Sequence, residues 1–422
     1  MNHQQYIDVL EEELVPALGC TEPIAIAYAA ALARETLKAF PERLLVECSN
    51  NIIKNVKSVV VPNTQGQRGI AVSAVAGVVS NGARYGMEVL SKLTDEDVRR
   101  IQDLVAEEVA QVEALTTTKP LHIKITAYHG SDRALVEITD YHTNVVRVER
   151  NDEILVKKEE NKEAYLGALK DRSFLTVNGI YEFATTVDLD LVRPLIRRQM
   201  KMNMAIAREG LSGTYGLRIG STLLKFGEDH VFQVIKAYTA AASEARMSGC
   251  TLPVVTNSGS GNQGISSSVP VIVYAREKYL PEDTVIRALL LSNLLTIHQK
   301  TLIGRLSAFC GVVSACTSSG AAITYLAGGT LDQIKMTITD TLANIIGIVC
   351  DGAKASCAIK IAAGLDAAMM AHLLAMENKV YQAGDGIVKA DVEDTIRSVG
   401  KMARDGMKAT DDQILKIMLD CD

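Results

Sequence analysis

Tryptophan is absent from this chain of 422 residues, and Phe and Tyr bring the aromatic share to only 5%. That argues against a platform on which nucleic-acid bases stack. Charge of one sign is also missing. Lys and Arg number 44 against 50 Asp and Glu, net −6, with the two signs interspersed and no basic arm or tail. No nucleic-acid partner is expected. The start, Met1-Asn2-His3-Gln4-Gln5-Tyr6, lacks both a basic n-region and an apolar h-region. No signal peptide is read, and a cytoplasmic location is expected.

Several catalytic signatures are lacking too. The seven histidines are dispersed, with no His-x-x-x-His or His-Glu-x-x-His, so a zinc hydrolase has little support. No Gly-x-Ser-x-Gly elbow or phosphate-binding Gly-x-x-x-x-Gly-Lys-Ser/Thr loop occurs, and Gly311-Val312-Val313-Ser314 does not follow a strand with a glycine fingerprint, so a dinucleotide fold has little support. No Cys-x-x-Cys pair is present either. Eight cysteines in a chain this long do not form a disulfide framework.

What is present is a wide scatter of cysteines among small residues. Cys310, Cys350 and Cys357 lie in apolar sequence rich in Gly, Ala and Ser, and Cys20 opens the block Gly19-Cys20-Thr21-Glu22-Pro23. Soft thiolates of this kind point to an iron–sulfur site before disulfides. Cys310 and Cys316 are six apart, so on one regular helix they diverge by about 120°. Cys350 and Cys357 share a face but stand about 10 Å apart on a straight helix, beyond the reach of one cluster. Gly352 offers a break that ends one helix and starts another, folding both thiols toward one point. The alternative is that these are buried small hydrophobes, as free cysteines often are.

The chain reads as an α+β fold with two lobes. Residues 1–40 form N-terminal helices joined to the larger lobe, 41–160 a small mixed lobe, and 161–422 a mainly helical lobe. In the small lobe, strands are expected around 43–61, 121–128, 134–141 and 144–150, and helices over 69–80 and 95–114. The run 157–163 is a charged linker or helix start. The uncharged stretch 306–331 is long enough to span a bilayer, but its four glycines and many hydroxyls favour two buried helices around a site. No membrane association is expected. Cys20 falls just before a helix, where free N–H groups and the helix dipole lower a thiol pKa.

Other polar constellations stand out. Ser258-Gly259-Ser260-Gly261-Asn262-Gln263-Gly264 places glycines where backbone can approach a ligand and consecutive N–H groups can hold an anion. An ordinary turn explains the same composition. Residues 212–220 repeat the theme more sparsely. Asn50 to Asn55 and Asn63 could bind a polar ligand but read more simply as hairpin turns.

Together, the Cys20 block, Val61-Pro62-Asn63-Thr64, the 258–264 run, Cys310-Gly311-Val312-Val313-Ser314-Ala315-Cys316 and Cys350-Asp351-Gly352-Ala353-Lys354-Ala355-Ser356-Cys357 resemble the L-cysteine desulfidase family. That family is related to the iron–sulfur L-serine dehydratase α chain, and the resemblance covers nearly the whole chain. It implies an oxygen-labile four-iron four-sulfur cluster, no pyridoxal phosphate, and elimination from a small amino acid. Cysteine would give sulfide, ammonia and pyruvate; serine would give water instead of sulfide. By motif, Cys310, Cys350 and Cys357 match the cluster ligands. The last two stand closer together than in the dehydratases, so Cys357 departs from the pattern. Cys421 offers a parallel to a terminal cysteine ligand. The resemblance further implies catalytic roles for Cys20, as base or displaceable iron ligand, and for Glu22. Thr21, Asn63 and Ser258 to Gln263 (Gly259, Ser260, Gly261 and Asn262 between them) would hold the substrate. A non-catalytic amino-acid or redox sensor on the same fold is the competing class, and a homodimer is left open as the assembly.

Overall fold

The computed structural model describes residues 2–158, 171–226, 230–304 and 307–419. Most of the charged run 157–163, and Cys421, lie outside the described residues. The architecture is α+β with a helical majority, built around two separate apolar cores.

The smaller lobe is a six-stranded sheet carrying helices. The chain opens with α1 (His3–Glu13) and β1 (Pro16–Ala17), which belong to the larger lobe, and the smaller lobe follows as α2 (Thr21–Leu37), β2 (Arg43–Cys48), α3 (Asn50–Val56), α4 (Ile70–Ser80), α5 (Asp95–Ala106), β3 (Ala110–Ala114), β4 (His122–His129), β5 (Asp132–Thr139), β6 (Val145–Arg150) and β7 (Glu153–Lys157). The strand order is β3-β2-β4-β5-β6-β7, with only β2–β3 parallel. Alternation puts Leu44, Val46 and Cys48 on the buried face, beside Ile123 and Ile125 of β4 and Val136 and Ile138 of β5. Helix α2 is apolar all round because it is covered on both sides, by the sheet and by α4.

The two N-terminal helices divide between lobes. Tyr6, Leu10 and Leu14 of α1 and its C-terminal flank join the helical core, whereas Ile24 to Leu37 of α2 join the sheet core. The segment between them crosses from one lobe to the other and carries Cys20. Other expectations change locally. The Asn50–Asn55 run, read as a hairpin, is helix α3, and the strand expected across 56–61 reduces to a single bridge between Val60 and Arg68. The long helix expected over 95–114 stops at Ala106; Glu108 then takes a left-handed φ of 55° and β3 begins. Strand β7 escaped the sequence reading because both its faces are exposed, so no alternation marks it.

The larger lobe continues with α6 (Val177–Thr186), α7 (Arg193–Ser212), α8 (Ile219–Phe226), α9 (Val231–Met247), β8 (Val254–Val255), α10 (Gly261–Glu277), α11 (Glu282–Ile303), α12 (Gly311–Leu326), α13 (Leu331–Ile345), α14 (Cys357–Met376), α15 (Val392–Lys401) and α16 (Lys408–Leu419). Helix α12 is buried nearly throughout and packs against α10, α11, α13 and α14. The apolar stretch 306–331 therefore contains one helix of 16 residues rather than two, shorter than the roughly 20 needed to cross a bilayer. Helix α14 is long and apolar enough for that test, but 61% of its most apolar window is buried inside the protein.

His372 on α14 is buried against Thr324, 2.9 Å from Nδ1 to Oγ1, and burial pushes its pKa down from 6.5 to about 4. Between those two values the unfolded chain binds more protons than the folded one. Stability is therefore complete above about pH 6.5 and is lost as pH falls toward 4. Wild-type protein should lose about 2 kcal/mol more than His372→Gln between pH 7 and pH 5. Urea midpoints at the two pH values measure this; equal losses would show that His372 is not the group responsible.

Candidate active site

A cavity of about 790 Å³ lies where the two lobes meet. Asn51, Asn55 and His142 reach it from the smaller lobe; Cys310, Cys350 and Cys357 reach it from the larger. Cys20, Thr21 and Glu22 sit in its wall on the crossing segment.

The three cysteines arrive by backbone pairing rather than by helix geometry. Phe309 and Val349 form an antiparallel bridge. The Cys310 N–H donates to the Ile348 carbonyl at 3.1 Å and the Cys350 N–H to the Ala308 carbonyl at 2.6 Å, which sets the two residues side by side. Gly352 does not end a helix, because α13 has already stopped at Ile345. Instead it turns the chain at φ 93°, pressed so closely against the Lys54 carbonyl that a Cβ would overlap it. The turn returns Cys357 to the first position of α14, its Sγ 3.8 Å from the Gly352 carbonyl. The thiols are close enough to act on one another. Burial, then the charges of Cys350 and Cys357, push Cys310 up to about 12. Cys316 is elsewhere, its Sγ 3.8 Å from the Ile361 carbonyl inside the core.

Cys20 is the N-cap of α2 and makes no capping bond. Its Sγ donates to Glu22 Oε2 at 3.0 Å, and the Thr21 hydroxyl donates to the same oxygen at 3.1 Å. The expected dipole-lowered thiol is not found. Burial and then the Glu22 charge raise the Cys20 pKa well above its ordinary value, against a smaller pull from Arg246. Burial works to raise the Glu22 carboxyl as well. The charge of His142, the thiol and backbone hydrogen bonds, and Arg246 outweigh it and hold Glu22 below the usual carboxylate value. The pair is thus a protonated thiol donating to an ionised carboxylate.

The 258–264 run forms a tight turn at Ser258 and Gly259, closed by reciprocal bonds between Asn257 and Ser260, and then starts α10. Ser260 caps that helix by accepting from the Gln263 N–H at 3.4 Å. Ser258, Gly259, Ser260, Asn262 and Gln263 line the cavity, and the Thr21 hydroxyl donates to the Gly259 carbonyl at 3.4 Å. Gly261 does not line it. Its open flank is filled by the guanidinium of Arg246, which a Cβ would displace. Gly311 plays the same part for the amide of Gln263, 2.6 Å from where a Cβ would lie. Asn63 is not brought to the cavity either. Its amide donates to the Leu90 carbonyl at 3.0 Å, while the neighbouring Pro62 packs over Gly19 and shapes the turn that presents Cys20.

Arg246 and His142, both lining the cavity, escaped the sequence reading, and Asn51 and Asn55 were read as turn residues. Arg246 is buried at the end of an alanine-rich helix, a position where a lone arginine was itself the signal. Asn51 and Asn55 are four apart and share one face once the segment is recognised as helical. Asn55 donates to Glu22 Oε1 at 3.2 Å. His142 sits in the turn between β5 and β6 and carried no local signal.

Among the described residues, no three His, Cys, Asp or Glu side chains are arranged around a single metal ion. A cubane has a different requirement, since each thiolate meets its own iron. Three soft thiols on one wall, mutually coupled and flanked by the ammonium groups of Lys354 and Lys360, fit an anionic cluster of that kind.

A family model described as the serine dehydratase alpha chain matches residues 84–416. A UPF0597 protein of Treponema denticola is 48% identical over 422 residues, covering 99% of this chain and 98% of the relative. One from Lachnoclostridium phytofermentans is 49% identical over 417 residues, 99% of this chain and 100% of the relative. Another, from Desulfitobacterium hafniense, is 47% identical over 418 residues, 99% and 97% respectively. The family match takes in Cys310, Cys350, Cys357 and the loop facing them, and the chain belongs to the serine dehydratase α-chain family, close to its UPF0597 relatives.

Proposed function

We propose that this protein is a lyase that eliminates the β-substituent of a small α-amino acid, with L-cysteine as substrate and sulfide, ammonia and pyruvate as products. The observation that carries the proposal is the convergence of three thiols from distant sequence on the cavity that also holds the Cys20–Glu22 pair. L-Serine is the second reading, favoured by the family model.

Cys310, Cys350 and Cys357 would hold a four-iron four-sulfur cluster. When bound, the cluster supplies a Lewis-acidic iron that stabilises the departing sulfide or hydroxide. The remaining chemistry belongs to the chain. Elimination breaks the Cα–H and the Cβ–S (or Cβ–O) bond and forms a double bond between the two carbons. The aminoacrylate released then tautomerises and hydrolyses to pyruvate and ammonium. Glu22 is an ionised group beside the Cys20 thiol, held so by His142, the thiol and backbone hydrogen bonds and Arg246, and accepts the Cα proton directly or through the Cys20 thiol it is bonded to. Thr21 and Asn55 fix that carboxylate on both oxygens, so it needs no reorientation as it takes the proton. The 258–264 turn lines the same cavity, with its Gly259 carbonyl beside the Thr21 hydroxyl.

Anaerobically purified protein should release sulfide from L-cysteine and pyruvate from L-cysteine or L-serine. Cys310→Ala and Cys350→Ala should lose both the visible absorbance of the cluster and pyruvate formation; full activity in either would refute the ligand assignment. Glu22→Gln should retain iron and sulfide content yet turn over about 10²–10⁴-fold more slowly, the range expected for losing a general base. An undiminished kcat in Glu22→Gln, with iron content unchanged, would remove Glu22 from proton transfer.

A further inference from the structure

Arg246 is 4% exposed, and no carboxylate lies within ion-pair distance of it among the described residues. Its nearest anchors are neutral. One terminal nitrogen donates to Asn262 Oδ1 at 3.2 Å and the other to the Gly19 carbonyl at 2.7 Å. Its Nε is buried with no partner. A buried guanidinium normally sits against a carboxylate, because an unpaired charge in the interior is strongly unfavourable. Here the chain instead removes a side chain at Gly261 to fit the group and fastens it between the Cys20 turn and the 258–264 loop. Glu22 acts on it only through the field, not by contact.

Buried amide oxygens complete the picture. Asn55 commits its Nδ2 to Glu22, which leaves Oδ1 as an acceptor without a donor. Gln263 Oε1 is likewise buried and unpartnered, and its side chain lies over Gly311, next to Cys310. Asn51 Oδ1 is a third. Each such orphan is worth about 1–3 kcal/mol of lost solvation in the empty site. The cavity thus offers a guanidinium without a carboxylate in contact and amide acceptors without donors.

We propose that Arg246 binds the carboxylate of the substrate and that the amide oxygens of Asn55 and Gln263 receive its ammonium group. The ligand class is therefore the zwitterionic α-amino acid, recognised by both charges at once. The inference rests on the elimination reading for the site's location but not for its chemistry. The 258–264 turn then acts mainly by holding Arg246, through Asn262 and the space at Gly261, rather than by offering its own N–H groups to the carboxylate.

The test uses L-alanine, which has no β-leaving group and cannot turn over, together with L-alanine methyl ester, which lacks the carboxylate charge, and propionate, which lacks the ammonium. Calorimetric titration of the full-length, anaerobically purified protein should give at least about tenfold tighter binding of L-alanine than of either analogue. Arg246→Gln should weaken L-alanine by about tenfold or more while leaving the methyl ester within about twofold, and Arg246→Lys should recover part of the loss. Asn55→Ala should weaken L-alanine but not propionate. Equal affinity of the wild type for L-alanine and its ester, no L-alanine binding, or an Arg246→Gln variant that binds L-alanine normally would each overturn the inference. The first two need no variant to fold. Turnover of cysteine and serine is scored separately. Turnover without the charge dependence leaves the lyase reading standing alone. The charge dependence without turnover leaves amino-acid recognition standing alone.

Discussion

Several helices begin at one cavity, and the site depends on that convergence. The first residues of α2, α10, α12 and α14 all contribute to its wall. Each helix start presents unpaired N–H groups and a partial positive charge, so the cavity favours anions from several directions. Two of these helices are capped by cysteines that cannot cap. Cys20 and Cys310 make no side-chain bond to the backbone N–H groups of the helices they open, whereas Thr94 and Thr330, away from the cavity, both do. An oxygen cap contributes about 1 kcal/mol. At both of these positions a thiol lining the cavity stands where an oxygen cap would add that stability.

The helix starts do not by themselves make those thiols reactive. A helix end stabilises a nearby anion by about 0.3–2 kcal/mol. Burial and the neighbouring thiols raise Cys310 from 9.0 to about 12, which opposes ionisation by about 4 kcal/mol. Burial wins at Cys310, whose thiol is protonated at rest, and ligation of a metal centre there would release that proton. The helix starts and the Lys354 and Lys360 ammonium groups would offset the negative charge of a thiolate-ligated cluster. The same contest explains why Cys20 fails as a free thiolate while Glu22 succeeds as a carboxylate. Glu22 gains hydrogen bonds from three side chains and backbone together with two nearby positive charges; Cys20 gains only a carboxylate neighbour.

Periodicity revealed the helical lobe, and alternation revealed β2, β4, β5 and β6, because each of these buries one face. Strand β7 and the end of α5 were illegible for the converse reason: an edge strand exposed on both faces and a break made by one left-handed residue leave no pattern. The cysteines of the site were legible as a set. Their convergence was not, since it is made by a bridge between Phe309 and Val349, and such pairing between residues 40 apart has no local signature. Gly261 was visible as a glycine, yet its purpose was hidden because the guanidinium that fills its flank comes from another helix. Asn63 was read as a binding group and serves a turn instead, through a backbone carbonyl that no sequence motif encodes.

The amide and thiol walls are also held to each other. Lys54 lies on α3 between Asn51 and Asn55 and is 2% exposed. Its ammonium pairs with Asp411 of the last helix, α16, and its carbonyl is the surface against which Gly352 turns. One residue therefore ties the amide pair of the smaller lobe to both the C-terminal helix and the Cys350–Cys357 turn of the larger. Lys57 adds a second tie, donating to the Met418 carbonyl at 2.7 Å. A buried ammonium cannot slide without leaving its carboxylate unpaired, at a cost of about 3–5 kcal/mol. A relative shift of the lobes by even one side chain is opposed on that scale. The spacing between Asn55, which faces the acid–base pair, and Cys350, which faces the thiol cluster, is thus set by packing at Lys54 rather than by either group itself.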